Sequence, residues 1–239
     1  MRTICVIQAR TGSTRLTNKV FRTLRGVPVL HWVVRRVQRF AFIDDVCLAT
    51  TRAVEDDAIE ALAHACGLPC VRTSVRLDDG RNDVLDRYRT AAELLKADQI
   101  VRVTADCPFI SPCLSAEVWA AHRHRNVRGY TSNTLASLDG FDTEIFARPW
   151  LDRAAAEATD LHDRHHVTPW IQRHTRAVHQ NLFVPQPQVY HAKLSLDTEE
   201  DWLRLSMVAT ELGGLTAEWP DVLEAATRLQ LFSDGRGRV

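Results

Sequence analysis

Short apolar, β-prone runs that alternate with helix-period segments constrain the first half of the chain more than any other feature. Residues 3–7 (T-I-C-V-I), 46–50 (V-C-L-A-T), 70–72 and 100–104 (I-V-R-V-T) read as buried strands. Between them, Val29, Val33, Val37 and Phe40 recur at helical spacing behind Pro28, which can open a helix. Ile59, Leu62 and Cys66 do the same within 55–66, where Gly67 is a C-cap, and Leu85, Tyr88, Ala92 and Leu95 within 84–96. Strands joined by helix-length crossovers pair in parallel, and apolar strands need cover on both sides. The expected class is α/β, a mainly parallel sheet with helices on both faces.

The second half is less regular. Helices are expected at 114–123, 150–158, 163–175, 199–212 and 219–231, with Pro169 breaking or offsetting the third. Strands are expected at 141–146, 178–184 and 194–196. No internal repeat or low-complexity linker divides the chain. One domain over 1–232, with an inserted or appended dimerisation element within 128–190, fits best, and 233–239 (S-D-G-R-G-R-V) reads as a disordered tail.

The 239 residues carry 30 basic and 30 acidic side chains, which argues against a protein that coats nucleic acid or an anionic membrane. No run approaches the roughly 20 apolar residues of a bilayer span, and the start enters a strand without a signal peptide, so a cytoplasmic protein is expected. The six cysteines form no C-x-x-C pair, and in a reduced compartment they act as small hydrophobes.

The first expected strand runs into Q-A-R-T-G-S-T-R-L-T-N-K, residues 8–19. Arg10, Arg15 and Lys19 supply three fixed cations, and Gly12, Ser13 and Thr14 a turn rich in N–H and hydroxyl donors. Arginine forks grip paired oxygens and a lysine acts as a point charge, so the loop suits a triphosphate. It is neither a Walker A motif nor a dinucleotide fingerprint, and the plain alternative is a solvated basic loop. Asp106 in R-V-T-A-D-C-P (102–108) and Asp197 in L-S-L-D-T-E-E-D-W (194–202) each follow an apolar run. A carboxylate there can hold Mg²⁺ beside phosphate oxygens, or simply cap the next turn or helix, a role equally open to Thr198. His162, His165 and His166 share helical spacing but have no matching third or fourth ligand, and the H-R-H-R-N-V-R stretch with His122 and His124 reads as a solvated helix end. The six tryptophans read as core or dimer interface.

I-Q-A-R-T-G-S-T-R-L-x-x-K, T-A-D-C-P and L-D-T-E-E-D, with N-D-V-L-D-R-Y (82–88), D-G-F-D-T-E-I-F (139–146) and D-R-H-H-V-T-P (163–169), resemble in order the spore-coat polysaccharide type of cytidylyltransferase. These are relatives of the CMP-Kdo and CMP-acylneuraminate synthetases. The resemblance implies a nucleotide-diphospho-sugar transferase fold (Rossmann-like), CTP as donor, Mg²⁺ as cofactor and a homodimer. It puts Arg10, Arg15 and Lys19 on the CTP phosphates, with Arg10, Lys19 and Asp106 catalytic, and the Ala9–Arg10 backbone near the cytosine. Thr11, Gly12, Ser13, Thr104 and Ala105 complete the nucleotide contacts. Asp106 and Asp197 become the metal carboxylates, and Asp142, Glu144, Arg164 and His166 line the acceptor pocket.

Three departures stand out. Thr17 and Asn18 replace the Pro-Gly usual before the loop lysine, although asparagine tolerates the left-handed turn. The nucleotide-contacting arginine can be Arg72, Arg76 or Arg81, and His165 stands where the resemblance implies glutamate. The expected reaction is transfer of CMP from CTP to an acidic acceptor (a Kdo-like or nonulosonic sugar acid, or a phosphonate), releasing pyrophosphate. The alternatives are a glycosyltransferase using a finished nucleotide sugar and a non-catalytic nucleotide-binding homologue.

Overall fold

The strands expected in the first half all form, and they form in parallel. In the computed structural model, which describes residues 1–74, 77, 83–125, 127–134, 139–179 and 193–231, β1 (Thr3–Gln8) lies between two later strands. A two-strand hairpin follows it, β2 (Thr23–Leu24) and β3 (Val27–Pro28), turning through Arg25 and Gly26, both at positive φ. Helix α1 (Val29–Val37) then leads to β4 (Asp45–Thr51), α2 (Asp57–Ala65) to β5 (Cys70–Thr73), and α3 (Val84–Leu94) to β6 (Gln99–Thr104). β1 pairs in parallel with β4 on one side and β6 on the other, with Val6 opposite Arg102 and Gln8 opposite Thr104.

The second half extends the sheet differently. α4 (Pro112–Arg125) precedes β7 (Tyr130–Ser132), a strand with no advance signal in the sequence, and β8 (Glu144–Ala147) runs antiparallel between β6 and β7. The expected strand at 141–146 thus starts late. Thr143 N instead donates to Asn133 Oδ1 (2.7 Å), closing a side-chain link between the two chain segments. Helix α5 (Arg148–Glu157) follows, and the helix expected at 163–175 is two: α6 (Leu161–His166) and α7 (Pro169–His174), with Pro169 opening the second. β9 (Val178–His179) is the described part of the strand expected at 178–184, and α8 (Glu199–Glu211) and α9 (Trp219–Arg228) close the chain. The tail at 233–239 lies outside the described residues.

The sheet order is β5-β4-β1-β6-β8-β7-β9. Successive β1 side chains face opposite sides: Ile4 and Val6 pack under α3, α5 and α7 with Leu85, Tyr88, Leu151 and Ile171, while Cys5 and Ile7 pack under α1, α2 and α4. Each such fully buried aliphatic side chain contributes about 1.5–3 kcal/mol. A third cluster joins Leu16 of the basic loop, Trp32, Phe109, Leu194 and Leu196 to α8 and α9, which holds the loop against the late part of the chain. All six cysteines are free thiols.

His122 is not part of a solvated helix end. It is fully buried, with one ring nitrogen 3.1 Å from Thr131 Oγ1 and the other 3.0 Å from Gln99 Oε1. Residues 194–196 form no regular strand. Leu194 N donates to Asp139 O (2.9 Å) and Leu196 N to Asp106 O (2.8 Å), so this extended segment is stitched to two different loops.

Candidate active site

Strand order reverses between β1, whose successors β4 and β5 step one way, and β6, which lies on the other side. At such a switch point the loops leaving neighbouring strands diverge and open a crevice at the carboxyl edge. Here a cleft of about 340 Å³ opens there, lined by the loop after β1, the turn after β6, the start of α3, the end of α6 and Asp197.

Lys19 ties the cleft together. Its Nζ donates to Asp106 Oδ2 (2.7 Å), Asp197 Oδ1 (3.1 Å) and Leu196 O (3.0 Å). Arg15 Nη2 reaches the same Asp197 oxygen at 2.7 Å, and Lys193 Nζ lies 3.3 Å from Asp197 Oδ2. The Leu196 N to Asp106 O bond explains how carboxylates distant in sequence meet. Asp197 is not the helix cap: Thr198 caps α8 and Asp201 completes the capping box, which leaves the Asp197 carboxylate for the cleft. Burial raises the Asp106 carboxyl, but the Lys19 charge and hydrogen bond, with help from Thr104, outweigh it and hold Asp106 below the usual range. Burial likewise lowers the Lys19 ammonium, and Asp106 and Asp197 more than restore it, so Lys19 titrates above its ordinary value. Two hard-oxygen carboxylates that converge on one cation are a donor set that fits Mg²⁺ shared with phosphate oxygens.

Asn18 adopts the left-handed conformation (φ 54°, ψ 29°), so the turn before the lysine forms without glycine. Below it, Thr11 N and Oγ1 both donate to Asp56 Oδ1 at 2.8 Å, and Asp56 also accepts from Thr51 Oγ1. This clamp anchors the loop's root.

Of the residues expected to bind nucleotide, Ala9, Arg10, Ser13, Arg15, Lys19, Thr104 and Ala105 line the cleft, as does Asp106. Thr11 and Gly12 do not: Thr11 is consumed by Asp56, and Gly12 is exposed. The expected acceptor set divides. His166 lines the cleft, together with His165. Asp142 is not among the residues that line the cleft, and burial and then the neighbouring Asp139 carboxylate raise its carboxyl to about 7. Glu144 is spent on Tyr130 Oη (2.7 Å), Thr168 Oγ1 (2.6 Å) and Arg102. Arg164 is spent on Asp83 Oδ2 (2.7 and 2.5 Å) and on the Ala155 and Ala158 carbonyls. These last two hold α6, β8 and the N-cap of α3 in place rather than facing a ligand. Arg72 faces Asp57, Glu60 and the Thr51 and Ala53 carbonyls, away from the cleft, while Arg76 and Arg81 lie outside the described residues.

Gln8, Arg87 and Arg102 also line the cleft. The sequence held a signal for two of them: Arg102 interrupts the apolar run 100–104, and Arg87 falls on the buried stripe of α3, three residues after Val84. A charge at a core position of a strand or helix has to be matched by a partner or a ligand.

A sequence model described as "Cytidylyltransferase" matches residues 4–230. The chain belongs to the cytidylyltransferase family. An uncharacterized protein of Methanocaldococcus jannaschii is 33% identical over 206 residues, 84% of this chain and 81% of that one. The spore coat polysaccharide biosynthesis protein SpsF of Bacillus subtilis is 32% identical over 225 residues, 91% and 88% of the two chains. Among solved structures, a cytidylyltransferase from Leptospira borgpetersenii superposes with a TM-score of 0.87 at 23% identity, over 100% of this chain and 99% of that one. A CMP:2-keto-3-deoxy-manno-octonic acid synthetase complexed with CTP gives 0.67 at 15% identity, over 89% and 100%. The fold of this cytidylyltransferase is therefore that of the nucleotide-diphospho-sugar transferases, and it is a CTP-dependent nucleotidyltransferase. Among the described residues, no helix is long and apolar enough to cross a membrane.

Proposed function

We propose that this cytidylyltransferase transfers CMP from CTP to an acidic acceptor, a Kdo-like or nonulosonic sugar acid, and releases pyrophosphate. The observation that carries the reading is the convergence of Asp106, Asp197, Arg15 and Lys19 at the switch point of the sheet. An acceptor oxygen attacks the α-phosphorus as the bond to pyrophosphate breaks. Arg10, Arg15 and Lys19 bind the phosphates and offset the charge that builds on the departing pyrophosphate, from positions fixed before substrate arrives. Asp106 and Asp197 would hold Mg²⁺, which supplies charge neutralisation at the phosphate oxygens when bound. His165 and His166, which also line the cleft, offer hydrogen-bonding contacts to the acceptor. The relative 3-deoxy-manno-octulosonate cytidylyltransferase of Psychrobacter cryohalolentis, 32% identical over 164 residues, supports a sugar acid as acceptor.

The test is a pyrophosphate-release screen of the four nucleoside triphosphates against sugar acids and phosphonates, run on the wild type and on Asp106→Asn. CTP should be preferred, and Asp106→Asn should lose at least about 10³-fold in turnover while keeping its melting temperature. Near-normal pyrophosphate release by that variant removes the metal assignment, and preference for UTP or ATP removes the donor assignment. A homodimer is part of the same reading; a sedimentation mass equal to the 27.0 kDa chain would exclude it.

A further inference from the structure

Both oxygens of the Asp197 carboxylate are covered by cations. Oδ1 accepts from Arg15 Nη2 (2.7 Å) and Lys19 Nζ (3.1 Å), and Lys193 Nζ lies 3.3 Å from Oδ2. Lys193 is held there by Asp201 Oδ2 (2.5 Å), which also accepts from Asp197 N and Thr198 N (3.0 Å each). A divalent cation that approaches Asp197 therefore meets three positive charges. Oδ1, the oxygen that Lys19 bridges to Asp106, already accepts two hydrogen bonds, as many as its lone pairs serve.

The three cations are not equally free to leave. Lys19 makes three hydrogen bonds and is 16% exposed, and Lys193 is tied to Asp201. Arg15 is 65% exposed, and its hydrogen bond among the described residues is the one to Asp197. The place of residue 15 in the loop is fixed. Leu16 is buried with Trp32, Phe109, Leu194 and Leu196, and its N–H donates to Ser13 Oγ (3.4 Å). Arg15 can thus change partner by turning its side chain, with no movement of the loop. An ion pair this exposed holds weakly, whereas a triphosphate offers a guanidinium several anionic oxygens at once. Arg15 lines the cleft in which that exchange would occur.

The exchange changes the charge seen by a metal. With Arg15 and Lys19 in place, two cations offset the two carboxylates of Asp106 and Asp197 one for one. With Arg15 turned to phosphate, two carboxylates face one ammonium, and a lone pair of Oδ1 is open.

We propose that Arg15 is a latch on the metal seat: it covers Oδ1 of Asp197 until a triphosphate draws it away, so that the empty enzyme holds a divalent cation weakly and takes it up with the nucleotide. The inference rests on the proposed roles of Arg15 at the phosphates and Asp197 at the metal, and it adds that the two roles exclude each other in the empty site.

The test measures each ligand by itself. Mn²⁺ stands in for Mg²⁺ and is followed as the free ion by electron paramagnetic resonance without nucleotide, and CTP is titrated calorimetrically in EDTA. Arg15→Met should bind Mn²⁺ about 3- to 5-fold tighter than wild type and CTP about 10-fold more weakly. Arg22→Met is the control for charge alone. Arg22 pairs with Glu199, two residues past Asp197, and its loss should change Mn²⁺ affinity by less than about 2-fold. On an Asp197→Asn background the gain from Arg15→Met should vanish. Unchanged or weaker Mn²⁺ binding by Arg15→Met overturns the latch. So does an equal gain in Arg22→Met, a gain that survives in the Asp197→Asn background, or undiminished CTP binding. Equal Mn²⁺ affinity in wild type and Asp197→Asn removes Asp197 from the metal seat, and the latch falls with that assignment. Weaker Mn²⁺ binding by Asp197→Asn with no gain in Arg15→Met removes the latch alone.

Discussion

Gly140→Ala should cripple the active site from outside the cleft. Gly140 has φ +109°, and a Cβ built there would lie 2.6 Å from the Leu194 carbonyl carbon and 2.7 Å from its oxygen. Ordinary contact begins at 3.4 Å, so one of the two backbones must retreat by about 0.8 Å. Leu194 cannot retreat alone, because Leu194 N bonds Asp139 O and Leu196 N bonds Asp106 O at 2.8 Å. A shift of that size stretches the latter to about 3.6 Å, past a hydrogen bond, and draws Asp197 away from Lys19. Backbone strain and a lost buried bond together cost about 2–4 kcal/mol, and the misplaced carboxylate about 10²-fold in turnover. For a chain of this size the melting temperature should fall by about 5–15 °C. Gly67→Ala is the control: Gly67 is also left-handed (φ +70°), but its Cβ would meet nothing within 4 Å, so it reports strain alone. Calorimetry and pyrophosphate release from CTP read both effects. If Gly140→Ala melts and turns over like Gly67→Ala, the coupling of this turn to Asp197 through Leu194 is wrong.

Two titrating groups make further predictions. Burial lowers His122 to about 4, so between pH 6.5 and 4 the unfolded chain takes up a proton that the folded chain refuses, and stability falls as pH falls. His122→Gln should flatten this acid limb by on the order of 3 kcal/mol in urea titrations at pH 6.5 and 4; an unchanged slope would refute it. Burial and Asp139 raise Asp142 to about 7, so its contribution to stability is lost as pH rises from about 4 to about 7. Asp142→Asn should therefore stabilise the protein more at pH 8 than at pH 5, and a gain equal at both pH values would count against a buried carboxyl.

The parallel half of the sheet was legible because its strands are continuous apolar runs between helices with clear stripes, a pattern few other folds satisfy. β7 was not, since three residues give no period to read, and neither was the true start of β8, which depends on a link from Asn133. Residues 194–196 look like a strand in sequence, but their N–H groups serve two loops instead of a neighbouring strand. In the cleft, Asp106 and Asp197 could be found because each ends an apolar run. Arg164 and Glu144 could not be assigned from sequence: a long side chain among polar neighbours carries no sign of its partner, and for Arg164 that partner, Asp83, lies 81 positions away. Arg87 could be picked out as a charge on the buried stripe of α3, but only the fold shows that this stretch of the helix borders the cleft.

The bond between Lys19 and Asp197 spans 178 positions of the chain. At about 5–20 residues per second, a ribosome takes on the order of 10–35 s to deliver the second residue after the first. Through that interval β1, β4 and β6 can already pair, while the basic loop has neither of the carboxylates that later hold Lys19 until Asp106 emerges, and only one until Asp197 follows. The parallel sheet can therefore be old when the active site is new. The second carboxylate arrives only with the segment ahead of α8, and a chain cut short before Leu194 would carry the cations of the site with Asp106 but without Asp197.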